Sequence, residues 1–366
     1  MINFLYKTIR PLIFLLYPET VHELASFWIK VVAKLRRHSF SGKNNLETKL
    51  FSHTISVPVG MAAGFDKKGD LVNGLRALDF AVVETGTFTK SYQKGNEKPR
   101  VFRIPEQQAL FNRMGFNNPG IQKGLQYLEK ARHPFAISIG KSRDTPLEDA
   151  VDDYTEILEM IENYPNFRLR ERIVYIAINV SSPNTPGLRM LQNKKYIASL
   201  IARCRRVTKI PLLIKFSPDF TDFREYEDIL KSAIKSGVHG VIVTNTTSDE
   251  NIVTCVPDKI RNRGGGLSGY PLKMKSGEYL KRTLRICKGK IPVISSGGVM
   301  EPEDVWKRLE MGASLVQIYT GFIYNGPGFA AQCADYVQKK ILEKGFKSFA
   351  EYQLSLRGTR NSAKMM

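Results

Sequence analysis

Residues 172–189 read RIVYIAINVSSPNTPGLR, an apolar run typical of a buried strand that passes directly into a polar segment. Pro183, Pro186 and Gly187 cannot continue a β-ladder, so the strand must end in a loop. The loop carries two amide side chains, two adjacent hydroxyls and the guanidinium of Arg189 on a backbone stiffened by proline. Polar groups held in this way lower stability unless they meet a ligand, so we expect the chemical centre of the chain here.

The same unit of strand, polar turn and helix recurs along the chain. Apolar runs predict eight strands, at residues 57–62, 80–84, 135–139, 173–178, 212–216, 240–244, 292–296 and 315–319. Apolar residues at three- and four-residue spacing predict helices between them, for example at residues 70–78, 148–161, 195–207, 224–236 and 302–311. Eight such units predict the α/β class and a (β/α)8 barrel, that is, a TIM barrel.

An open, doubly wound parallel sheet is the main rival to the barrel. The position of the polar motifs favours the barrel, because nearly every motif follows the C-terminal end of a predicted strand, and barrel enzymes build their sites on that face. The motifs lie at residues 64–67, 85–87, 140–141, 179–184, 215, 244–246, 297–298 and 319–320. We therefore expect one ligand site at the top of the barrel.

Composition limits the classes of protein and partner. The chain has 366 residues, 42% of them hydrophobic, so it is expected to be a soluble globular protein with a large core. Its four cysteines are far apart and lack metal-ligand spacing, so neither a disulfide framework nor a metal site is predicted. The formal net charge of +20 calls for nucleic acid, an acidic membrane surface, or a phosphorylated cofactor with an acidic substrate. No nucleic-acid-reading motif is present, which disfavours nucleic acid.

Two turns near the end of the barrel predict a phosphate site. Gly297 and Gly298 follow one strand, and residues 319–321 follow the next, which is where barrels commonly bind phosphate. Together with Lys67 and Lys215 they indicate a phosphorylated cofactor lying across the top of the barrel. Lys215, at the end of a buried strand, is costly without an anionic partner.

Three segments are expected: an N-terminal amphipathic helical segment at 1–40, the catalytic barrel at 41–340, and a basic C-terminal extension at 341–366. A frayed or loosely packed extension is favoured, and added attraction to a membrane is the alternative. Two interruptions of the barrel rhythm are long. Residues 89–118 are expected to fold over the site. Residues 249–269 contain the run GGGLSG at 264–269, which could approach a phosphate but more often marks a flexible turn.

The ordered motifs carry a family resemblance. They read MAAGFDKKG, ETGTFT, NRMGFNN, NVSSPNTPGLR, IKFSPD, VTNTT, GGLSG, SSGGV and LVQIYTGF. In this order and spacing, over about residues 57–328, the chain resembles the dihydroorotate dehydrogenases. The resemblance implies an FMN-containing barrel that oxidises (S)-dihydroorotate to orotate in pyrimidine (UMP) biosynthesis, with FMN as hydride acceptor.

The resemblance also implies residue roles. Ser182 is the general base, and because a serine hydroxyl is a weak base we suppose that its proton is relayed through Thr185 and water. FMN contacts are implied for Ala63, Gly64, Lys67, Thr87, Ser138, Asn179, Lys215, Thr244, Gly269, Gly298, Tyr319 and Thr320. Substrate contacts are implied for Lys67, Asn112, Arg113, Met114, Gly115, Phe116, Asn179, Asn184, Asn245 and Thr246. Ser138 departs from the family, which usually has Asn there and so a longer reach to the flavin.

The electron acceptor follows from the residue at the base position. Soluble classes of the family have cysteine there, whereas Ser182 resembles the membrane-associated class that reduces a quinone. The N-terminus agrees, since residues 1–37 predict two short helices with apolar faces beside Lys30, Lys34, Arg36 and Arg37. No apolar run is long enough to span a bilayer. We expect a peripheral protein on an anionic membrane, at the cytoplasmic side of the cell membrane.

By resemblance His22, Arg103 and Tyr319 line the passage of the quinone. The alternative for the N-terminal segment is a helix pair packed dry against the barrel. Two other functions stay open: an FMN barrel oxidoreductase acting on a different cyclic amide, and a membrane-surface barrel without turnover. The presence of Lys67, Ser182 and Lys215 argues against the second.

Overall fold

The computed structural model describes residues 2–35 and 44–362, so Arg36 and Arg37 lie outside the described residues. The strands are β1 (Thr48–Leu50), β2 (His53–Ile55), β3 (Val59–Met61), β4 (Val82–Phe88), β5 (Val101–Ile104), β6 (Ala109–Asn112), β7 (Phe135–Ile139), β8 (Ile173–Asn179), β9 (Leu212–Phe216), β10 (Gly240–Val243), β11 (Gly266–Gly269), β12 (Val293–Ser296) and β13 (Leu315–Ile318). The helices are α1 (Ile2–Leu15), α2 (Pro18–Leu35), α3 (Val72–Arg76), α4 (Ile121–Leu128), α5 (Ala150–Glu162), α6 (Phe167–Arg170), α7 (Lys194–Val207), α8 (Phe223–Lys235), α9 (Asp258–Arg261), α10 (Lys273–Cys287), α11 (Pro302–Glu310), α12 (Thr320–Asn325), α13 (Phe329–Glu343) and α14 (Phe349–Ser362).

Eight parallel strands close into a barrel in the order β3, β4, β7, β8, β9, β10, β12, β13 and back to β3. Each predicted strand is a strand of this barrel, and the closed order excludes the open doubly wound sheet. The largest displacement of a strand end is at β4, which runs on to Phe88 although the prediction ended at Glu84. Every residue of β4 is buried, so the polar residues at 85–87, which were expected to follow the strand, lie within it.

The outer helices form because each presents one apolar stripe to the strands. In α8 the buried residues are Tyr226, Ile229, Leu230 and Ala233, which repeat at three- and four-residue intervals. Asp222 caps the helix by accepting a hydrogen bond from the N–H of Arg224 at 2.8 Å. Burying each large side chain contributes about 1.5 to 3 kcal/mol, so the stripe holds the helix on the barrel.

The two long interruptions form one structure above the barrel. β5 and β6 make a hairpin within residues 89–118, and β11 pairs with β6, with Leu267 opposite Phe111. The glycine run at 264–269 is therefore partly a strand and not a flexible turn. A Cβ on Gly266 would lie 2.1 Å from Thr246 Oγ1, so only glycine allows this close packing.

The N-terminal segment forms the two predicted helices. The Tyr6 hydroxyl of α1 donates to the carbonyl of Ile323 at 2.6 Å, which ties α1 to α12. In α2, Ile29 packs so closely on α3 that a Cβ on Gly74 would lie 2.3 Å from the Ile29 carbonyl oxygen. No helix among the described residues is both long and apolar enough to cross a membrane.

The expectation of a frayed C-terminal extension is wrong for residues 341–356. α14 packs on the barrel with Phe349 fully buried, and the Tyr352 ring stacks on Trp306 of α11 at 5.1 Å. Phe349, Tyr352 and Leu356 repeat at helical spacing, and this short stripe supplies enough apolar area for docking although the segment is polar on average.

Candidate active site

A cavity opens at the C-terminal ends of the barrel strands, beneath the sheet of β5, β6 and β11. The predicted residues that line it are Ala63, Gly64, Lys67, Thr87, Asn112, Met114, Gly115, Phe116, Asn179, Ser182, Asn184, Lys215, Thr244, Asn245, Thr246, Gly269, Gly298, Tyr319 and Thr320. Ser138, Arg113, His22 and Arg103 do not line it. The fold thus brings most of the predicted set to one place from the strand ends and the hairpin.

The loop after β8 presents Ser182 to the cavity, where the residue is 94% buried. The Ser182 hydroxyl oxygen accepts a hydrogen bond from the N–H of Asn184 at 3.2 Å. Nearby, the Thr185 hydroxyl is buried and has no hydrogen-bond partner among the described residues. The Asn184 side chain in turn donates to Asn112 Oδ1 of β6 at 3.0 Å, which joins the loop to the hairpin above it.

Arg189 clamps this loop to its neighbours. Its guanidinium donates to Asp219 Oδ2 at 2.8 Å, to Ser248 Oγ at 2.7 Å and to the Thr246 carbonyl at 3.2 Å. A further bond runs back to the Ser181 carbonyl at 3.2 Å. Burial alone would raise the pKa of Asp219, but hydrogen bonds and the adjacent cations hold it below its ordinary value. The charged pair therefore fixes the loop that carries Ser182.

Ser138 does not line the cavity but contacts Thr87, which does. Its hydroxyl is 2.9 Å from Thr87 Oγ1, and Thr87 also accepts from the Asn179 side chain at 3.0 Å. Both Thr87 and Asn179 line the cavity, whereas Ser138 is fully buried behind them. A serine is long enough to support Thr87 but does not reach the cavity itself.

Lys67 is held by the turn that follows β3. Asp66, fully buried, accepts the backbone N–H groups of Gly69 at 2.8 Å, Asp70 at 3.1 Å and Leu71 at 3.0 Å. Burial raises the pKa of Asp66 to about 6 and lowers the pKa of Lys67 to about 8. Lys67 is therefore a cation at neutral pH that loses its charge more readily than an exposed lysine.

At the base of the cavity Lys215 pairs with Glu84, a residue that the sequence analysis missed. Their charged atoms are 3.2 Å apart, and both side chains are buried. The second oxygen of Glu84 accepts from the Tyr175 hydroxyl at 2.9 Å and from Gln317 Nε2 at 2.6 Å. The anionic partner that Lys215 requires is thus a barrel residue. The sequence signal that could have identified this pair is a single carboxylate, Glu84, at the end of one apolar run and a single lysine, Lys215, in another.

An aromatic series leads from α2 to the cavity. The His22 ring lies 5.0 Å from the Phe65 ring, and Phe65 lies 5.8 Å from Tyr319, which lines the cavity. Burial, with Lys67 and Lys68 nearby, lowers the pKa of His22 to about 2, so this histidine is neutral. The cavity is therefore connected to the N-terminal helices through rings that carry no charge.

Two predicted arginines have other contacts. Arg103 lies with its guanidinium 4.6 Å from the Phe14 ring and donates to the Leu16 carbonyl at 2.7 Å, which ties β5 to the end of α1. Arg113 bonds through its backbone N–H to the Arg100 carbonyl at 2.8 Å. Its neighbours Asn112 and Met114 line the cavity, whereas Arg113 itself does not.

These contacts define what the site can do. Four asparagines, two lysines and a buried serine converge on one cavity, which suits a small planar acid with amide edges. The lysine cations attract an anion, and the amides pair with donor and acceptor edges. Ser182 is one of several hydroxyl groups on the cavity wall that could receive a proton.

Comparison with known proteins gives a consistent set of matches. The family model described as dihydroorotate dehydrogenase matches residues 45–341. A protein of a Nitratiruptor species is 36% identical over 356 residues, which cover 94% of this chain and 97% of the relative. A protein of Methylococcus capsulatus is 40% identical over 342 residues, which cover 88% of this chain and 96% of the relative. Both are named dihydroorotate dehydrogenase (quinone).

Solved structures match over nearly the whole chain as well. The crystal structure of DHODH from Eimeria tenella in complex with ferulenol has a TM-score of 0.81 and 31% identity, and the match covers 92% of this chain and 94% of that chain. The ligand-free structure from the same organism has a TM-score of 0.80, with 31% identity over 91% of this chain and 98% of that chain.

Proposed function

The chain belongs to the dihydroorotate dehydrogenase family and is an oxidoreductase of pyrimidine biosynthesis; from this premise we propose that it holds FMN, uses Ser182 as its base and delivers electrons to a membrane quinone. The observation that carries the proposal is the convergence of Ser182, Lys67 and Lys215 with four asparagines on one cavity. The roles proposed below for the individual residues follow from the contacts that hold these groups.

The residues of the cavity fit a flavin. Thr244 Oγ1 and Gln317 Oε1 are buried without a hydrogen-bond partner among the described residues, and both residues line the cavity, as expected where a ligand with amide-like edges binds. FMN, when bound, accepts two electrons from the substrate and passes them to the quinone. The residues proposed to hold it are Ala63, Gly64, Lys67, Thr87, Asn179, Lys215, Thr244, Gly269, Gly298, Tyr319 and Thr320. Ser138 supports it only through Thr87.

Lys215 contributes a positive charge at the base of the cavity. Because Glu84 holds its ammonium at 3.2 Å, the charge has a set position before any ligand binds. A charge fixed in advance stabilises negative charge that builds up during a reaction without the cost of rearranging the protein.

The substrate is proposed to bind among the amides. Asn112, Asn179, Asn184 and Asn245 each offer a donor and an acceptor, and Asn184 and Asn112 already orient one another. Lys67 supplies charge for the carboxylate of dihydroorotate. Residues 114–116 and Thr246 also line the cavity. Arg113 does not line it, so its proposed contribution to substrate binding is to position its neighbours Asn112 and Met114, which do.

Ser182 is proposed to take the proton from the carbon beside the substrate carbonyl. A neutral serine is a weak base, so the proton must leave the hydroxyl in the same step or soon after it. The buried Thr185 hydroxyl, partnerless among the described residues, is the proposed next carrier together with water. The Arg189 clamp keeps this loop in place while the proton moves.

Membrane association is proposed from the outer faces of α1 and α2. Leu5, Ile9, Leu12, Leu15, Leu16, Leu24, Phe27, Trp28 and Leu35 are all exposed. These side chains are not packed dry against the barrel, whereas Ile29 on the opposite side of α2 is. Lys34 is exposed on the same helix, whereas Lys30 pairs with Asp70 of the barrel at 2.5 Å. We propose peripheral binding to an anionic membrane at the cytoplasmic side of the cell membrane, with the His22–Phe65–Tyr319 rings along the quinone route.

The test is an anaerobic titration of the detergent-purified protein with dihydroorotate, followed by a soluble quinone analogue, with the oxidised-flavin absorbance as the signal. We expect bleaching with dihydroorotate and recovery with quinone. Bleaching without recovery would exclude a quinone as the electron acceptor. Bleaching by dihydrouracil but not by dihydroorotate would instead assign a different cyclic amide, and a purified protein without flavin would contradict the cofactor.

A further inference from the structure

Arg308 of α11 is a buried cation whose partners are all neutral. Its side chain is 96% buried, and its guanidinium donates to Ser276 Oγ at 2.8 Å, Lys273 O at 3.0 Å, Ser295 Oγ at 3.2 Å and Gly297 O at 3.3 Å. No carboxylate of the described residues forms an ion pair with it. A buried cation without an adjacent anion is costly, so its retention calls for a reason beyond packing.

The nearest carboxylate is already used. Asp304 pairs with Lys273 at 2.6 Å and accepts the backbone N–H groups of Met300 and Glu301 at 2.9 and 3.0 Å. Burial lowers the pKa of Arg308 to about 10, and Asp304 offsets this only in part. Arg308 therefore remains a cation at neutral pH, and Asp304 cancels its positive potential only in part.

The oxygens that Arg308 binds belong to segments at the edge of the active-site cavity. Gly297 lies in the turn after β12, and Lys273 and Ser276 lie in the first turn of α10. Gly297, Gly298 and Leu272 line the cavity, whereas Arg308 lies behind them. Arg308 thus holds the wall of the cavity from its outer side.

The bond to Gly297 O orients one peptide group. Ser276 Oγ also donates to this carbonyl, at 2.9 Å, so the oxygen is held from behind by two side chains. In a trans peptide the carbonyl and the following N–H point in opposite directions, so the N–H of Gly298 points away from Arg308. No backbone acceptor among the described residues receives that N–H. A Cβ on Gly298 would lie 2.3 Å from Lys273 Cα, so the position admits only glycine.

We propose that Arg308 is a positioning residue for the phosphate of a phosphorylated cofactor: it fixes the Gly297–Gly298 peptide with its N–H available to an anion and adds positive potential behind it. The inference rests on the proposed function, because FMN is the phosphorylated cofactor there. It predicts that Arg308 acts on the phosphate and not on the flavin ring.

The test compares two flavins that differ only by the phosphate. Apoprotein is titrated with FMN and with riboflavin, following the quenching of flavin fluorescence, for the unmodified chain, Arg308→Met and Arg308→Lys. We expect Arg308→Met to weaken FMN binding by about 10- to 100-fold, the range for losing a hydrogen bond donated by a charged group, here the bond to Gly297 O, and to leave riboflavin binding nearly unchanged. Arg308→Lys should keep part of the preference for FMN. Lys307→Met is the matched control, because Lys307 is exposed on the same helix and paired with Glu303.

The outcomes separate the inference from the proposed function. If the unmodified apoprotein binds neither flavin, the cofactor proposal fails and the inference fails with it. If it prefers FMN but Arg308→Met weakens both flavins equally, or neither, Arg308 has only a structural role. Should Arg308→Met not fold, Arg308→Lys and Ser276→Ala decide the matter, since both must then lower the ratio of FMN to riboflavin affinity while circular dichroism remains unchanged.

Discussion

The ammonium of Lys215 lies 3.2 Å from the carboxylate of Glu84, and both side chains are buried beneath the active-site cavity. Tyr175 and Gln317 donate to the other oxygen of Glu84, so both oxygens of this carboxylate are engaged. The pair joins β4 to β9 across the barrel interior. The cavity therefore has a positive charge that is in place before a ligand enters.

Replacing Glu84 should destabilise the barrel. Glu84→Gln leaves Lys215 buried without its anion, and breaking a buried pair in this way costs about 3 to 5 kcal/mol. Urea unfolding followed by circular dichroism measures the loss. Glu303→Gln, which removes an exposed partner of Lys307, is the control and should change stability little. Equal effects of the two substitutions would mean that the buried pair has no special weight.

Removing the proposed base should slow substrate oxidation without releasing the flavin. We expect Ser182→Ala to lower the rate of flavin bleaching by dihydroorotate by about 10²- to 10⁴-fold, the range for a general base. Stopped-flow absorbance measures this rate. Ser232→Ala is the control, because the Ser232 hydroxyl donates to the Lys194 carbonyl and does not line the cavity. Thr185→Val should also slow bleaching. An unchanged rate in Thr185→Val would exclude Thr185 from the proton relay, and an unchanged rate in Ser182→Ala would exclude Ser182 as base.

Loss of the Arg189 clamp should loosen the loop over the cavity. Arg189→Met removes four hydrogen bonds to three segments, so protease should cut within residues 183–192 more readily and kcat should fall. Mass spectrometry of the fragments locates the cut. Arg203→Met removes an exposed arginine paired with Asp152 and serves as control. A loop that stays protected in Arg189→Met would show that its prolines alone hold it.

Substrate capture should weaken above neutral pH. Burial lowers the pKa of Lys67 to about 8, so its charge is present below pH 8 and is lost as pH rises through that value. Because this charge is proposed to attract the substrate carboxylate, kcat/KM for dihydroorotate should fall through about pH 8. Lys67→Arg should move the fall to higher pH, since a guanidinium stays protonated. A fall at the same pH in Lys67→Arg would assign it to another group. Lys235→Met, an exposed lysine in the last turn of α8, is the control.

Membrane binding should depend on the exposed apolar face of α2. Phe27 and Trp28 are both more than half exposed, so replacing the pair with serine should reduce flotation with anionic lipid vesicles and raise the KM for a long-chain quinone. Bleaching by dihydroorotate should not change. Phe167→Ser, an equally exposed aromatic residue on the barrel, is the control. Undiminished flotation of the double variant would contradict the proposed membrane face.

The sequence predicted the barrel because strand and helix periodicities are local. The eight strands were found from short apolar runs, and α8 from the spacing of residues such as Tyr226, Ile229 and Ala233. The C-terminal segment was misjudged because average polarity hides a short stripe such as Phe349, Tyr352 and Leu356. The glycine run before Gly269 was misjudged because β11 pairs with β6, a strand far away along the chain.

The candidate site divides in the same way. The sequence alone determined which motifs follow strand ends, and hence that Ser182, Lys67, Lys215 and three of the asparagines belong to one face, because parallel strands in a barrel all end on the same side. The fourth, Asn112, reaches the site from the hairpin. Only the tertiary structure decided which residues are in contact: Glu84 with Lys215, Arg189 with Asp219, and Arg308 with Gly297. Each pair is separated by 11 to 131 residues, and such contacts depend on closure of the barrel, which no local pattern encodes.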